Sequence, residues 1–421
     1  MPIVSPPPQP SGPGLAGRAR VSVRVGSARP GGDPVASVKL ALIAVLPAGA
    51  PWMADLFPGA LVRATRERDP GMAVEHVRLR GRESAAALPG LDARSRLRDA
   101  VGLALGGGAT SVDLLAVHAG ESPPWSVLNP EVQELCEPFL ADMVGAVLLY
   151  PDFCGPIPVG PGTELPMAQR VQAGVAGLER AAARWSERRQ VALLDHPGDE
   201  DDLVLLRALL GCDAALCRWR GDRGSLARHG WRSAAAAVAG AFAEADLGRP
   251  LDGQALALTP GRDLARGREE ELRLRTESPL SPSGPEDCLV LQVRGDSARV
   301  VGEPSFRQPL GAWTLSALRV VKAIHQEILE TAERFVFRTV DDAMAIALAV
   351  QLQRALGRFV SAGLLAGPNG EGNPEVKGGA RRVPDSPGLT ATLSATVKPW
   401  SQAISVRVSL RPGAFPHLEL T

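Results

Sequence analysis

The sequence predicts a layered α/β fold with a mixed sheet, and three observations lead to that prediction. From about Leu97, short apolar strands alternate with helical stretches, which is typical of strand–helix layers around a largely parallel sheet. The chain then closes on two strands in which apolar and polar residues alternate almost without exception. Finally, 421 residues, 45% of them hydrophobic, are enough for a substantial core in two or three domains.

Residues 36–250 contain five segments of strand character and two of helical character. Strands are expected at Val38–Leu46, Val112–Val117, Val144–Tyr150, Gln190–Asp195 and Asp213–Trp219. Helices are expected where apolar or alanine residues recur at helical spacing, at Glu164–Glu187 and Trp231–Ala245. The stretch from Trp52 to Gly90 is mixed in character and yields no prediction.

Residues 251–312 form a variable segment of different character. The charged run Arg266–Glu277 predicts a solvated helix, and Pro279–Pro285 predicts a loop. Cys288–Val293 and Ala298–Val301 can pair as a hairpin, because Arg-Gly-Asp at 294–296 is a typical turn sequence.

The segment 313–421 begins with two amphipathic helices. One helix face is formed by Leu315, Leu318, Val321, Ile324 and Ile328. The next helix begins at Asp341 or Asp342, because a carboxylate there can accept hydrogen bonds from the unpaired amides of the first turn. Its apolar face is formed by Met344, Leu348, Leu352, Leu356 and Phe359. A short strand is expected between the two helices, at Phe335–Phe337.

The chain beyond these helices is expected to form a loop and two strands. Asn369–Pro387 is rich in glycine and proline and predicts the loop. Leu389–Val397 alternates apolar and small polar residues, and the last strand places Ile404, Val406, Val408 and Leu410 on one face. This period of two marks strands that are buried on one side only.

Residues 1–35 are expected to form an N-terminal arm that carries a donor strand. Met1–Gly17 is rich in proline, glycine and serine and lacks the apolar core of a signal peptide. Val21, Val23 and Val25 alternate with polar residues, which predicts a strand, and Pro30–Pro34 ends it. The predicted domains are therefore 1–35, 36–250, 251–312 and 313–421.

Composition and charge exclude several classes of function. Lysine plus arginine equals aspartate plus glutamate at 46 each, so no basic footprint for nucleic acid or an acidic membrane surface is expected. No apolar run approaches the roughly 18–20 residues that span a bilayer, so membrane insertion is not expected. The five cysteines lack metal-site spacing, which is typical of free thiols in a reducing compartment. Assembly in the cytoplasm is therefore expected.

One acidic segment could carry chemistry. Asp195 and His196 end a predicted strand, and strand ends are where α/β proteins bind ligands. Four acidic residues follow at 199–202. One interpretation is a divalent-cation or acid–base site built from Asp195, Asp199 and Asp201; the other is a solvated loop with a carboxylate-rich helix start.

A glycine triplet, Gly106–Gly108, suggests a phosphate-binding loop but lacks its lysine and its spacing, which favours a turn. The sequence also lacks the Gly-x-Ser-x-Gly and His-Glu-x-x-His motifs of hydrolases. The sequence therefore predicts no cofactor, no metal and no enzymatic activity. A metal-dependent α/β enzyme that uses the acidic segment is kept as an alternative.

The order of several segments resembles the contractile tail sheath family, the sheath subunits of contractile phages and of phage-tail-like injection systems. Val191–Pro197 is similar to the family's strand ending in Leu-Asp-x-Pro, and Asp213–Trp219 to its strand running into Pro-Trp. Ala237–Asp246 is similar to its Ala-Gly-x-x-Ala-x-x-Asp segment. The region from Leu318 to Gly367 is similar to its most recognisable stretch. The resemblance covers residues 140–410; Gly302–Ser305 and Arg338–Val340 differ from the family pattern.

The resemblance implies a structural subunit that polymerises into a helical sheath around an inner tube and contracts to drive injection. Its implied partners are further copies of the chain, an inner tube protein, and baseplate and tail-terminator or cap components. Terminal strands fit this role, because a lent strand binds through main-chain hydrogen bonds while alternate side chains set the register. The predicted exchange residues are Val21, Val23, Val25, Ile404, Val406, Val408 and Leu410. A non-polymerising adaptor or baseplate component with the same fold is a further alternative.

Overall fold

The structure is a computed structural model of the chain, and it places residues 37–421 in one compact unit. It describes residues 39–46, 49–66, 72–88, 96–120, 124–143, 145–153, 175, 177, 179–185, 190–196, 213–221, 232–244, 247, 249–258, 288–295, 297–302, 314–336, 340–381, 388–398, 402–411 and 416–420. The predicted arm, with Val21, Val23 and Val25, lies outside these ranges, as do Asp199, Asp201 and the charged run Arg266–Glu277.

Ten strands form the larger of two sheets. In chain order they are β1 (Leu40–Leu46), β2 (Leu61–Arg66), β3 (Met72–Leu79), β4 (Val112–Ala119), β5 (Val147–Leu149), β6 (Val191–Asp195), β7 (Ala214–Gly221), β8 (Ala255–Ala257), β9 (Leu289–Arg294) and β10 (Ser297–Val301). Their spatial order is β2-β3-β4-β1-β5-β6-β7-β9-β10-β8. In this spatial order, neighbouring strands from β4 through β1 to β9 are parallel, and the strands beyond them at both ends pair antiparallel. The predicted mixed α/β sheet is thus confirmed.

The central strands are buried at every position, because helices cover both faces of the larger sheet. The helices are α1 (Met53–Leu56), α2 (Arg82–Ala87), α3 (Leu97–Gly106), α4 (Pro130–Leu140), α5 (Ala234–Glu244), α6 (Leu315–Glu333) and α7 (Asp342–Ser361). One hydrophobic cluster packs α3 and α5 on one face of the sheet. A second cluster packs α4 and the helical residues 179–185 on the other face.

Helices α3 and α5 approach closely at glycine. A Cβ on Gly240 would lie 2.6 Å from the carbonyl oxygen of Ala104 and 2.9 Å from Cα of Gly107. Gly107 and Gly108 form the predicted turn after α3. The glycines therefore serve the packing of two helices, and the interpretation as a turn is confirmed.

Five strands near the end of the chain form the smaller sheet. They are β11 (Leu365–Ala366), β12 (Glu375–Arg381), β13 (Gly388–Val397), β14 (Gln402–Leu410) and β15 (His417–Leu420). β13 pairs with β14 on one side and with β11 and β12 on the other, and β15 pairs with the outer side of β14. The apolar faces of β13 and β14 pack against α6 and α7 in a third hydrophobic cluster, as their alternation predicts.

Helix α6 lies between the two sheets. Leu315 and Leu318 belong to the cluster of the larger sheet, whereas Val321 and Ile324 belong to the cluster of the smaller one. Helix α7 begins as predicted, with the Asp341 carboxylate accepting a hydrogen bond from the Met344 amide at 2.7 Å.

Several sequence predictions need correction. The expected strand at Phe335–Phe337 is a turn at residues 335 and 336. The expected loop Asn369–Pro387 contains β12, which pairs with β13 along its whole length. A third strand, β15, follows the two that the sequence predicted. The hairpin of β9 and β10 is confirmed. Of the helix predicted at Glu164–Glu187, the described residues 175, 177 and 179–185 are helical.

Candidate functional site

The C-terminal exchange residues lie in the middle of the smaller sheet. Ile404, Val406, Val408 and Leu410 are 0–3% exposed and face α6 and α7. Strand β14, which carries them, pairs with β13 along its length and with β15 from Val406 to Ser409. Both sides of this part of β14 are therefore occupied by its own chain. Their role in strand exchange stays a prediction, as does that of Val21, Val23 and Val25.

Within the described part of the chain, the unpaired edges of the smaller sheet belong to β12 and the two-residue β11 on one side and to β15 on the other. Among the described residues, β12 pairs with β13 alone and β15 with β14 alone. β12 is the longer edge, with seven consecutive residues paired in an unbroken register. An unpaired strand edge presents a row of N–H and C=O groups that can bind a further strand.

Helix α7 lies closely over β12. A Cβ on Gly378 would lie 2.2 Å from the carbonyl oxygen of Ala345 and 3.2 Å from Cβ of Ala349. The Gln353 amide donates a hydrogen bond to the carbonyl of Pro374, directly before β12, at 3.5 Å. The flank of α7 formed by residues 345, 349 and 353 therefore lies against the edge strand, and only glycine fits at position 378.

An exposed apolar stripe borders this contact. Ile346 is 64% exposed, the largest value for a large hydrophobic side chain among the described residues, and Val350 is 43% exposed. Helical spacing places Ile346 directly beside the flank that contacts β12. A strand added at the β12 edge would find apolar side chains there to cover one of its faces.

Contrary to the expectation from the sequence, α7 is long and apolar enough to cross a bilayer, judged by length and composition alone, and it is the only such helix among the described residues. The inner side of α7 explains this composition, because Leu348, Leu352, Leu356 and Phe359 are buried against the smaller sheet. The pattern is that of a helix with one buried face.

The predicted cation ligand Asp195 is a buried structural group. One carboxylate oxygen accepts a hydrogen bond from Nη1 of Arg96 at 2.8 Å, and the other from the amide of Ala235, at the start of α5, at 2.9 Å. The Arg96 guanidinium also donates to the carbonyl of Pro151 at 2.9 Å, and the Arg96 amide donates to Asp152 at 2.7 Å. These contacts fill the carboxyl ends of β5 and β6 with the chain's own side chains.

The electrostatics of this cluster follow from its burial. Burial raises the pKa of the Asp195 carboxyl, and the opposing effects of the Arg96 guanidinium and the Ala235 amide offset this only in part. Within the described residues, no three His, Cys, Asp or Glu side chains are placed to hold a metal ion. Asp199 and Asp201 lie outside those residues, so the structure does not bring them together with Asp195.

The described thiols are also poorly suited to chemistry. Cys136, Cys217 and Cys288 are free and buried. Burial raises the pKa of Cys136 to about 12 and raises the pKa of Cys217 well above its usual range. Because the thiolate is the reactive form, neither of these two groups is expected to act as a nucleophile or a metal ligand near neutral pH.

Sequence reasoning missed β12 and the exposed stripe. The glycines at 378 and 379 suggested a loop, although they permit the approach of α7. Ile346 and Val350 could have been noticed, because both are large apolar residues that fall outside the buried line through Leu348 and Leu352. A second apolar line on one helix indicates a second partner.

No family model and no curated protein matches the sequence. Among solved structures, the chain is similar to one of the anti-feeding prophage baseplate, at 16% identity and a TM-score of 0.48 over 82% of this chain and 84% of the other. It is similar to the helical sheath of the anti-feeding prophage in its contracted state, at 16% identity and a TM-score of 0.49 over 83% and 86% of the two chains. It is also similar to a sheath tail protein of Listeria innocua, at 8% identity and a TM-score of 0.49 over 90% and 96%.

Proposed function

We propose that this protein is a non-enzymatic subunit of a contractile tail sheath, which polymerises into a helical tube around an inner tube and shortens to drive it forward. The observation that carries the proposal is the open edge of β12 beside the exposed apolar stripe of α7. The resemblance of residues 140–410 to the sheath family supports it from the sequence.

Strand addition at β12 explains how copies would join. A second copy can offer its segment Arg20–Val25, in which Val21, Val23 and Val25 share one face of an extended strand. Paired with β12, that strand would turn its valines toward the side where Val376 packs on the core and where helical spacing places the exposed Ile346. Main-chain hydrogen bonds would supply affinity, and the valines would set the register.

In this proposal β14 stays in its own sheet, the sheet that accepts the strand of the other copy. Lending β14 itself would expose Ile404, Val406, Val408 and Leu410, each worth about 1.5–3 kcal/mol of burial, and would break the ladder with β13. The short β15, with four residues, is the C-terminal strand that can change partners at smaller cost.

A contact between the arm of one copy and the edge of another is head-to-tail, so it propagates into rings or a helix. Contraction would then be a rigid-body rearrangement of subunits held together by the exchanged strands. Inner tube, baseplate and tail-terminator or cap proteins are the further partners of such a sheath. Assembly in the cytoplasm is part of the same proposal.

Two variants test the proposal. Deletion of residues 1–25 is expected to abolish tubes and rings in negative-stain electron microscopy while leaving a folded monomer by circular dichroism. Ile346→Asp is expected to weaken assembly strongly, because it places a charge beside the added strand. Gln351→Asp, an exposed change on the opposite flank of α7, is the matched control and should assemble normally. Normal tube formation by both the deletion and Ile346→Asp would refute strand addition at β12.

A further inference from the structure

The face of α6 that meets the larger sheet is unusually polar for a buried surface. Residues 315–322 are all buried, because α6 has a sheet on each side there. Ser316, Arg319 and Lys322 follow one another at a spacing of three residues and are 1%, 7% and 6% exposed. The opposite face, which packs on the smaller sheet, is apolar, with Val320, Val321 and Ile324.

Lys322 makes the most directional of these contacts. Its ammonium lies 3.2 Å from the Asp213 carboxylate, 2.6 Å from the carbonyl of Gln190 and 3.5 Å from the carbonyl of Trp185. Three N–H groups thus meet three oxygen acceptors. Gln190 and Asp213 directly precede β6 and β7, so the lysine is fixed to the amino ends of two neighbouring strands.

The other two polar residues hold α6 at its first turns. The Arg319 guanidinium lies 4.7 Å from the ring centroid of Phe242 in α5. The Ser316 hydroxyl accepts a hydrogen bond from the Leu251 amide at 3.3 Å. All three contacts require a particular orientation, whereas apolar surfaces can pack in several closely related settings.

A buried ion pair contributes little net stability, because desolvation offsets the attraction, but it can specify one arrangement among several. We infer that Lys322 and Asp213 form an ionic lock that fixes the orientation of the smaller sheet, together with α6, against the larger sheet. Lys322 is a positioning residue in this role. The inference does not depend on the proposed function, because it concerns the isolated chain.

The ionic lock predicts a separation of stability from orientation. Nitroxide labels at Asp142→Cys beside the larger sheet and Gln351→Cys on α7, both exposed positions, report the distance between the two parts by double electron–electron resonance. Cys154 and Cys212 are replaced by serine in all samples. The native thiols that remain, Cys136, Cys217 and Cys288, are buried and therefore shielded from the label. A single narrow distance distribution is expected for the protein with the lock intact.

The test variant is the double change Lys322→Met with Asp213→Leu, which removes both charges and keeps the volume apolar. Its melting temperature is expected to stay within a few degrees of the parent, whereas its distance distribution should widen about twofold. Either single change leaves one buried charge without its partner and should lower the melting temperature by roughly 5–10 °C. The neutral pair Lys322→Gln with Asp213→Asn serves as the second test variant and should also widen the distribution.

An unchanged width in a folded double variant would overturn the inference, since the two parts would then be oriented by packing alone. Failure of both double variants to fold would overturn it too, because the pair would then be required for stability. A widened distribution with retained stability is the result that supports the ionic lock.

Discussion

Replacing Asp195 by alanine distinguishes a structural role for this carboxylate from a cation site. The side chain is 4% exposed and joins Arg96 at 2.8 Å to the start of α5 at the Ala235 amide, 2.9 Å away. Asp195→Ala removes these contacts, together with the hydrogen bonds that the carboxylate accepts from the Ser233 side chain and the Ala234 amide, and leaves the Arg96 guanidinium buried. No new side-chain contact can replace them, because alanine ends at Cβ.

The expected magnitude follows chiefly from the ion pair with Arg96 and from the amide contacts at the start of α5. Removing one partner of a buried ion pair costs about 3–5 kcal/mol, because the remaining charge stays desolvated. Loss of the acceptor at the start of α5 adds up to about 1 kcal/mol. Asp195→Asn keeps an oxygen for the Ala235 amide but loses the charge and the oxygen that accepts from Arg96, so its cost should be smaller than that of alanine, about 1.5–3 kcal/mol.

The assay is urea unfolding followed by circular dichroism, repeated with and without millimolar Mg²⁺ or Mn²⁺. The structural role predicts the order parent, Asp195→Asn, Asp195→Ala in decreasing stability, with no change on adding either cation. A cation that stabilises the parent but not Asp195→Ala would refute this reasoning and restore the cation site. A cost below about 1 kcal/mol for Asp195→Ala would refute the buried-pair argument itself.

Three further predictions use matched variants or conditions. Gly378→Ala, whose Cβ would lie 2.2 Å from a backbone oxygen, should lower the free energy of unfolding in urea by about 1–3 kcal/mol, whereas Gly379→Ala, with its nearest atom at 3.4 Å, should change it little. Gly240→Ala should cost a similar amount for the same reason, whereas Gly102→Ala has its nearest atom at 3.7 Å and should gain up to about 1 kcal/mol of helix propensity. Burial raises the pKa of the Asp113 carboxyl, but hydrogen bonds from His76 and Arg78 and the attraction of their charges outweigh this effect. They lower that pKa below its ordinary value of 3.8. Its stabilisation is therefore present above that value and lost as pH falls through the lower folded-state pKa, so the urea midpoint should fall more steeply under acid for the parent than for Asp113→Asn. Equal effects within a glycine pair, or parallel pH profiles, would contradict the respective prediction.

The sequence predicted those strands whose environment is simple. β1 and β6 are covered on both faces by apolar layers, so their apolar runs identified them. β3 escaped prediction because it buries charged residues. Glu75 accepts hydrogen bonds from the Met53 amide at 2.7 Å and from His118 at 2.8 Å, and these partners are 22 and 43 residues away in sequence. Periodicity cannot reveal such partners, because it describes only what is local.

The candidate site was predicted only in part, because periodicity identifies a strand but not its neighbours in the sheet. The alternation of β13 and β14 identified the smaller sheet and the buried face that carries Ile404 and Val406. The edge of the smaller sheet is formed by β12, which pairs with β13. Glycine at position 378 permits this arrangement, because α7 lies directly against it. Glycine is depleted in strands generally, so its presence argued against β12 until the neighbouring helix was known.

The two sheets differ in how their edges are protected. β2, at one end of the larger sheet, exposes Leu61 and Val62 but has a register shift between Leu61 and Arg63 and carries an exposed arginine. β8, at the other end, is three residues long. Bulges, charges and short length are the usual means of preventing unwanted strand pairing. β12 has seven residues and an unbroken register, with the exposed Ile346 beside it, although it also carries the exposed charges of Glu375 and Lys377. A long, regular edge of this kind is an aggregation hazard in a free monomer, and the strand addition proposed above would cover it.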